Sequence, residues 1–174
     1  MISYALLLAF FPAVMIFAAA SDLLTMKISN RLSFALVAGF FAAAYVIGMS
    51  FTDIGWHLLA ALAVLTVAFG CFSFGWIGGG DAKPAAAIAL WLGFPHLMDY
   101  FVLASILGGI LTLFMIGGRH VPLPSILARQ PWIARLHAMS SGIPYGIALA
   151  VAALLISPKT VFTGFAAFVR FPAF

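Results

Sequence analysis

Residues 56–81 read WHLLAALAVLTVAFGCFSFGWIGGGD, an apolar run that ends in three glycines and an aspartate. From Trp56 to Ile77 the run holds no Asp, Glu, Lys or Arg, and about 20 mostly apolar residues are enough for a helix to cross a bilayer. The stretch therefore predicts a membrane-spanning helix that ends at a carboxylate. Because an ionisable group between apolar segments is costly, Asp81 is a candidate functional residue.

The composition of the whole chain supports a membrane location. Of its 174 residues 66% are hydrophobic and 7% charged, and the mean hydropathy is +1.22, which lies outside the range of a soluble domain. We expect a single all-α, multi-pass integral membrane domain over residues 1–174, with about six transmembrane helices. The six apolar segments are 2–20, 32–49, 56–77, 83–94, 98–116 and 143–157.

The charges between these segments predict the orientation. No basic residue precedes the first segment, whereas Lys27 and Arg31 follow it, so we expect a retained span with the N-terminus outside rather than a signal peptide. Six alternating spans then place residues 118–142 in a basic cytoplasmic loop, which is either a lipid-facing connector or a flap bordering the active site. They also place Asp22 and Asp81 at the same, cytoplasmic face. The tail, 159–174, has no assigned structure.

Several other functions are disfavoured by the residues present. The net charge is +4, but the cations lie in short loops without interleaved aromatic residues, so we expect no nucleic-acid binding. Cys71 is the single cysteine and the chain has no glutamate, so neither a thiolate cluster nor an HExxH site can form. The four histidines are divided between both sides of the membrane. We therefore expect no metal and no cofactor.

Asp22 and Asp81 suggest an aspartic peptidase. Two carboxyl groups about 3 Å apart cannot both ionise readily, so such a pair holds one proton and can act as acid and base on a bound water. Gly78 and Gly80 would let a substrate backbone approach the pair, although a glycine run is equally expected in an ordinary turn. Lys83 would orient a substrate group or, more commonly, anchor its helix at the headgroups.

Three short motifs resemble the type IV prepilin peptidases. Residues 22–32 (DLLTMKISNRL) resemble the first catalytic-aspartate segment of that family, 78–83 (GGGDAK) resemble its G-x-G-D-x-K motif, and 144–146 (PYG) resemble its P-Y-G element. The likeness is to the short form found in tight-adherence (Flp) pilus systems. Two positions depart from the family pattern, because Ser29 stands where proline is usual and Pro84 where leucine is common.

This resemblance implies a membrane-embedded aspartic endopeptidase of the bacterial cytoplasmic (inner) membrane. Asp22 and Asp81 would be catalytic, and Gly78, Gly80 and Lys83 would contact the substrate. The substrate would be the leader peptide of a prepilin or pseudopilin, and the further partners are membrane lipids and the pilus assembly machinery. With no paired cysteines, we expect no N-methyltransferase activity.

Two alternatives stay open at the level of the sequence. The chain could be a GxGD peptidase that acts on another membrane substrate, such as preflagellin. It could also be a non-catalytic membrane protein, either a transporter or a secretion-assembly subunit. Whether Asp22 and Asp81 converge distinguishes a peptidase from the non-catalytic class.

Overall fold

A computed structural model describes residues 2–160 and 162, with side chains from residue 9 onward. Most of the 159–174 tail lies outside these residues. The described part is helical, with a short 3-10 turn at Ser157–Lys159. Its eight α-helices are α1 (Ile2–Thr25), α2 (Asn30–Val46), α3 (Phe51–Ser73), α4 (Gly79–Leu92), α5 (Phe94–Arg119), α6 (Ser125–Ala128), α7 (Pro131–His137) and α8 (Tyr145–Ile156).

Helices α1 to α5 and α8 correspond to the six apolar segments of the sequence. Within the described residues, α3 and α5 are long and apolar enough to cross a membrane. Only 17% of the most apolar window of α3 and 11% of that of α5 are buried, so their apolar side chains face outward, as expected in lipid rather than in water. The all-helical class is confirmed, while six spans and an outside N-terminus stay predictions.

Helix α4 lies at the centre of the bundle. Every residue from 84 to 92 is buried, and alanines at five positions of α4 let α2, α3 and α8 approach its backbone closely. Trp91 fixes the far end of α4, because its indole Nε1 donates to Leu36 O at 2.9 Å. The same ring packs against Phe11 and Phe162, with centroids 5.0 and 4.9 Å apart.

A single residue joins α4 to α5. Gly93 has φ +66°, a left-handed conformation that glycine adopts without steric cost. A Cβ at this position would also lie 2.9 Å from the His57 ring, whose Nδ1 is 2.7 Å from Leu90 O. The turn therefore reverses the chain tightly and keeps the start of α5 beside α4 and the start of α3.

The chain alternates in direction, so that six helix ends meet at one end of the bundle. Helices α1, α3 and α5 end there, and α2, α4 and α8 begin there. Contacts across this end include Gly146 with Asp22 and Lys83 with Asn30. We call it the carboxylate end, because Asp22 and Asp81 both lie in it.

Candidate active site

Asp22 and Asp81 line the same cavity, which has a volume of about 440 Å³ at the carboxylate end. Asp22 lies in the last turn of α1, past the end of the predicted 2–20 span, and Asp81 lies in the first turn of α4. The two helices therefore bring residues 59 positions apart to one site. The other lining residues are Met26, Lys27, Ile28, Gly78, Gly80, Gly142 and Ile143.

Asp22 is held by the start of α8. Its side chain is buried, with 5% exposed, and the backbone N–H of Gly146 donates to Oδ2 at 2.7 Å. The first amides of a helix have no partner within the helix and carry partial positive charge, so they favour an anion. Burial raises the pKa of the Asp22 carboxyl, and hydrogen bonds from the Gly146 and Ile147 amides oppose that rise.

Asp81 has a different environment. Its residue is partly exposed, and no hydrogen-bond donor to its carboxylate is found within residues 2–160. Burial, and after it the charge of Asp22, raises the pKa of Asp81 from 3.8 to about 6. Amide donors stabilise an ionised carboxylate, and Asp22 receives them whereas Asp81 does not. When the pair holds one proton, Asp22 is therefore favoured as the ionised group and Asp81 as the protonated one.

The glycine run is not a turn with left-handed backbone. Gly78 has φ −76° and is the N-cap of α4, which already begins at Gly79, and none of the three glycines has a positive φ. Their smallness matters instead. A Cβ on Gly80 would meet nothing within 4 Å, so Gly78 and Gly80 leave bare backbone at the cavity wall beside Asp81.

Lys83 does not line the cavity that holds the carboxylates. Its Nζ donates to Asn30 Oδ1 at 3.1 Å, and the side chain borders a groove between α2, α3 and α4. Its role in substrate binding stays a prediction. The fourth apolar segment, 83–94, predicts Pro84 in the first turn of its helix, where proline is tolerated. That prediction is wrong, because α4 begins at Gly79 and Pro84 lies inside it, where it cannot donate to the carbonyl of Gly80.

The basic 118–142 segment contains the two short helices α6 and α7, and arginines tie it to the site. Arg119 donates from Nε to Leu136 O at 2.9 Å and from Nη2 to Gly142 O at 2.7 Å. Arg135 Nη1 donates to Leu24 O at 3.0 Å, which satisfies a carbonyl in the last turn of α1. The end of the segment thus borders the Asp22 cavity at Gly142.

Ser29, which replaces the usual proline of the resembling motif, keeps the geometry that proline would impose. Its φ is −68°, close to the −65° of a proline ring. Its Oγ accepts from Arg31 N at 3.2 Å and caps α2. The serine therefore holds the loop after Asp22 by a hydrogen bond rather than by a ring.

Asp81 also lies at the mouth of a second, larger space. It has a volume of about 970 Å³, and we name it the substrate groove after the role that we propose for it. Its walls are formed mainly by α3 and α5, from Ala63 to Cys71 on one side and from Phe101 to Ile116 on the other. Helices α3 and α5 hardly touch, so the groove runs along the bundle between them. Ser105 is one of its few polar lining residues.

Sequence reasoning missed two residues at the site. Gly146 supplies the amide that holds Asp22, and a Cβ there would lie 2.7 Å from Asp22 Oδ2 and would collide with Ile28. In the sequence, Gly146 was marked only by the PYG motif, which did not predict its contact with Asp22. Arg119 was counted as a loop cation only. Within the described residues, no group of three or more His, Cys, Asp or Glu side chains is arranged to hold a metal ion.

Comparison with known proteins identifies the family of the chain. No curated protein and no solved structure is significantly similar to the chain. The family model of the type IV leader peptidase family matches residues 9–113, which is more than half of the chain and includes both Asp22 and Asp81. The chain belongs to the type IV leader peptidase family.

Proposed function

We propose that the protein is an aspartic endopeptidase that removes the leader peptide of Flp-type prepilins at the cytoplasmic face of the bacterial inner membrane. One observation carries the proposal: Asp22 and Asp81 line one cavity at one end of the bundle. The family gives the class of reaction, and the resemblance of residues 22–32 and 78–83 to the Flp-type form supports the substrate.

The different environments of the two carboxylates support distinct roles. Asp22, with the amides of α8 at its oxygen, is the base that takes a proton from the attacking water. Asp81 is the acid that donates its proton to the scissile carbonyl oxygen. The water oxygen bonds to the carbonyl carbon and gives a gem-diol. The C–N bond then breaks as Asp22 passes its proton to the departing amine, and one diol hydroxyl returns a proton to Asp81 as the C=O bond of the product acid forms.

The two cavities suggest how a prepilin is placed. The scissile peptide would lie in the small cavity, where Gly78 and Gly80 leave room for extended backbone. The hydrophobic helix that follows the cut would lie in the substrate groove between α3 and α5. Asp81 lines both spaces, so the groove leads directly to the carboxylate.

Methylation of the cleaved pilin is not part of the proposed activity. The longer prepilin peptidases that also methylate carry paired cysteines, whereas this chain has Cys71 alone. Mass spectrometry of the mature pilin checks this point, because an unmethylated N-terminus is expected. A mass increase of one methyl group that depends on this protein would contradict it.

The proposal is tested by expressing the protein together with an Flp prepilin and following leader removal by gel shift. Asp22→Asn and Asp81→Asn keep the side-chain shape but cannot exchange the proton, so each should lower the cleavage rate by about 10²–10⁴-fold. Processing at the normal rate by either variant would refute the proposed pair.

The other two aspartates are matched controls. Asp53 accepts from Ser50 Oγ at 2.7 Å near the start of α3, and Asp99 pairs with Lys159 at 3.6 Å on an exposed surface. Neither lines the small cavity or the substrate groove. Asp53→Asn and Asp99→Asn should therefore cleave at the wild-type rate.

A further inference from the structure

A third cavity lies on the opposite side of α4 from the substrate groove. It has a volume of about 550 Å³ and shares no lining residue with the other two. We call it the lateral groove, since it lies between α2, α3 and α4 and is open to the outside of the bundle. The described residues that line it are Asn30, Ser33, Phe34, Val37, Leu58, Ala61, Leu62, Leu65, Lys83, Ala86, Ala87 and Leu90.

The polar residues of the lateral groove lie at one end. Lys83 and Asn30, joined by their hydrogen bond, stand at the carboxylate end of the bundle. Lys83 is exposed, and no carboxylate within the described residues forms an ion pair with it. The Ser33 hydroxyl, one turn along α2 from Asn30, is buried without a hydrogen-bond partner in the described structure. This end of the groove therefore has a cation, an amide side chain and one hydroxyl without a partner in the described structure.

The rest of the lateral groove is apolar. From Asn30 to Val37 on α2, and from Lys83 to Leu90 on α4, the walls extend by seven residues, or about 10 Å along each helix axis. One leaflet of hydrocarbon is about 15 Å thick. With the carboxylate end at a membrane face, as the sequence predicts, the charged end of the groove would lie at the headgroups and its apolar channel would reach most of the way to the bilayer midplane.

We propose that the lateral groove binds one anionic phospholipid, with its phosphate at Lys83 and Asn30 and an acyl chain along Val37 and Leu62. Basic residues beside pockets between membrane helices recognise anionic headgroups through charge and hydrogen bonds. The bound lipid would cover the side of α4 that faces away from Asp81. The proposal depends on the membrane location of the chain and not on the peptidase reaction.

Native mass spectrometry of the delipidated protein in detergent tests the proposal. Phosphatidylglycerol and phosphatidylcholine with identical acyl chains are titrated separately, and the bound fraction is measured. We expect one retained phosphatidylglycerol per chain and about fivefold weaker binding in Lys83→Met, since one cation near the surface contributes about that factor. Lys83→Arg should restore binding. Val37→Trp should reduce it by filling the apolar channel.

Arg129→Gln is the matched control, because Arg129 is an exposed cation of the α6–α7 region that does not line the groove. It should bind phosphatidylglycerol like the wild type. Equal binding of both lipids, or wild-type binding by Lys83→Met, would overturn the proposal. Displacement of the lipid by millimolar inorganic phosphate would also overturn it, since the site would then be one for a free anion.

Discussion

The two halves of the small cavity at the carboxylate end carry the same residue type in different surroundings. Asp22, at the end of α1, is buried and accepts a hydrogen bond from the first turn of α8. Asp81, at the start of α4, is partly exposed, borders both cavities and receives no hydrogen bond from the described residues. Under the proposed mechanism, backbone donors and solvent access are what make one of two identical side chains the base and the other the acid.

Among substitutions that disturb the surroundings of only one of the two aspartates, we expect Gly146→Ala to lower the cleavage rate most. The new methyl group would lie 2.7 Å from Asp22 Oδ2, so either the carboxylate or the start of α8 must move. A displacement near 1 Å of a catalytic group costs about 100-fold in rate. We expect kcat for prepilin cleavage to fall by about that factor with KM little changed.

Gly109→Ala is the control for that substitution. A Cβ at Gly109, in the middle of α5, would meet nothing within 4 Å, so cleavage should stay at the wild-type rate. A Gly146→Ala protein that cleaves like Gly109→Ala would show that the amide contact does not position Asp22.

The pH profile of cleavage tests the role of Asp81 as the acid. Because its pKa is raised to about 6, the acid form is lost above that pH, and kcat/KM should fall about tenfold per pH unit. The same shift makes the folded state bind this proton more tightly than the unfolded state. Its contribution to stability is therefore full below pH 3.8 and lost as the pH rises through 6. Activity unchanged between pH 6 and 8 would contradict Asp81 as the acid.

Ser105→Trp tests whether the substrate groove, which Asp81 also lines, binds the prepilin. Ser105 lines the groove on α5, whereas the adjacent Ile106 is 54% exposed and does not line it. A tryptophan at 105 should raise KM for prepilin by about fivefold, on the order of 1 kcal/mol of lost binding. Ile106→Trp, which adds the same ring one residue away, should leave KM unchanged. Equal effects of both substitutions would show that the groove does not bind the prepilin.

The smallest effect is expected from Ser29→Pro, in the loop after Asp22. The backbone already has φ −68°, so proline fits, and the loss of the serine cap of α2 opposes the gain from a stiffer unfolded chain. We expect the free energy of unfolding to change by less than about 1 kcal/mol. Thermal unfolding in detergent measures it. A larger loss would show that the Ser29 hydrogen bond to Arg31 does more than cap α2.

The sequence predicted the helices better than the contacts between them. Apolar segments as long as 56–77 signal their helices by composition alone, and charge alternation placed Asp22 and Asp81 at one face. The start of α4 at Gly79 was missed because glycine has poor helix propensity, which packing against α2, α3 and α8 overrides. The contact of the Gly146 amide with Asp22 could not be predicted, because every residue except proline carries a backbone N–H and these two residues are 124 positions apart.

If Asp22 and Asp81 form one coupled pair, the Asp81 carboxyl must respond to the charge of Asp22, and a titration of that carboxyl measures the response. Infrared or carbon NMR detection of the protonated carboxyl should give a midpoint near 6 in the wild type. In Asp22→Asn, which removes the neighbouring charge, the midpoint should fall, because burial alone then raises it. An identical midpoint in both proteins, or a wild-type midpoint near 3.8, would contradict a coupled pair.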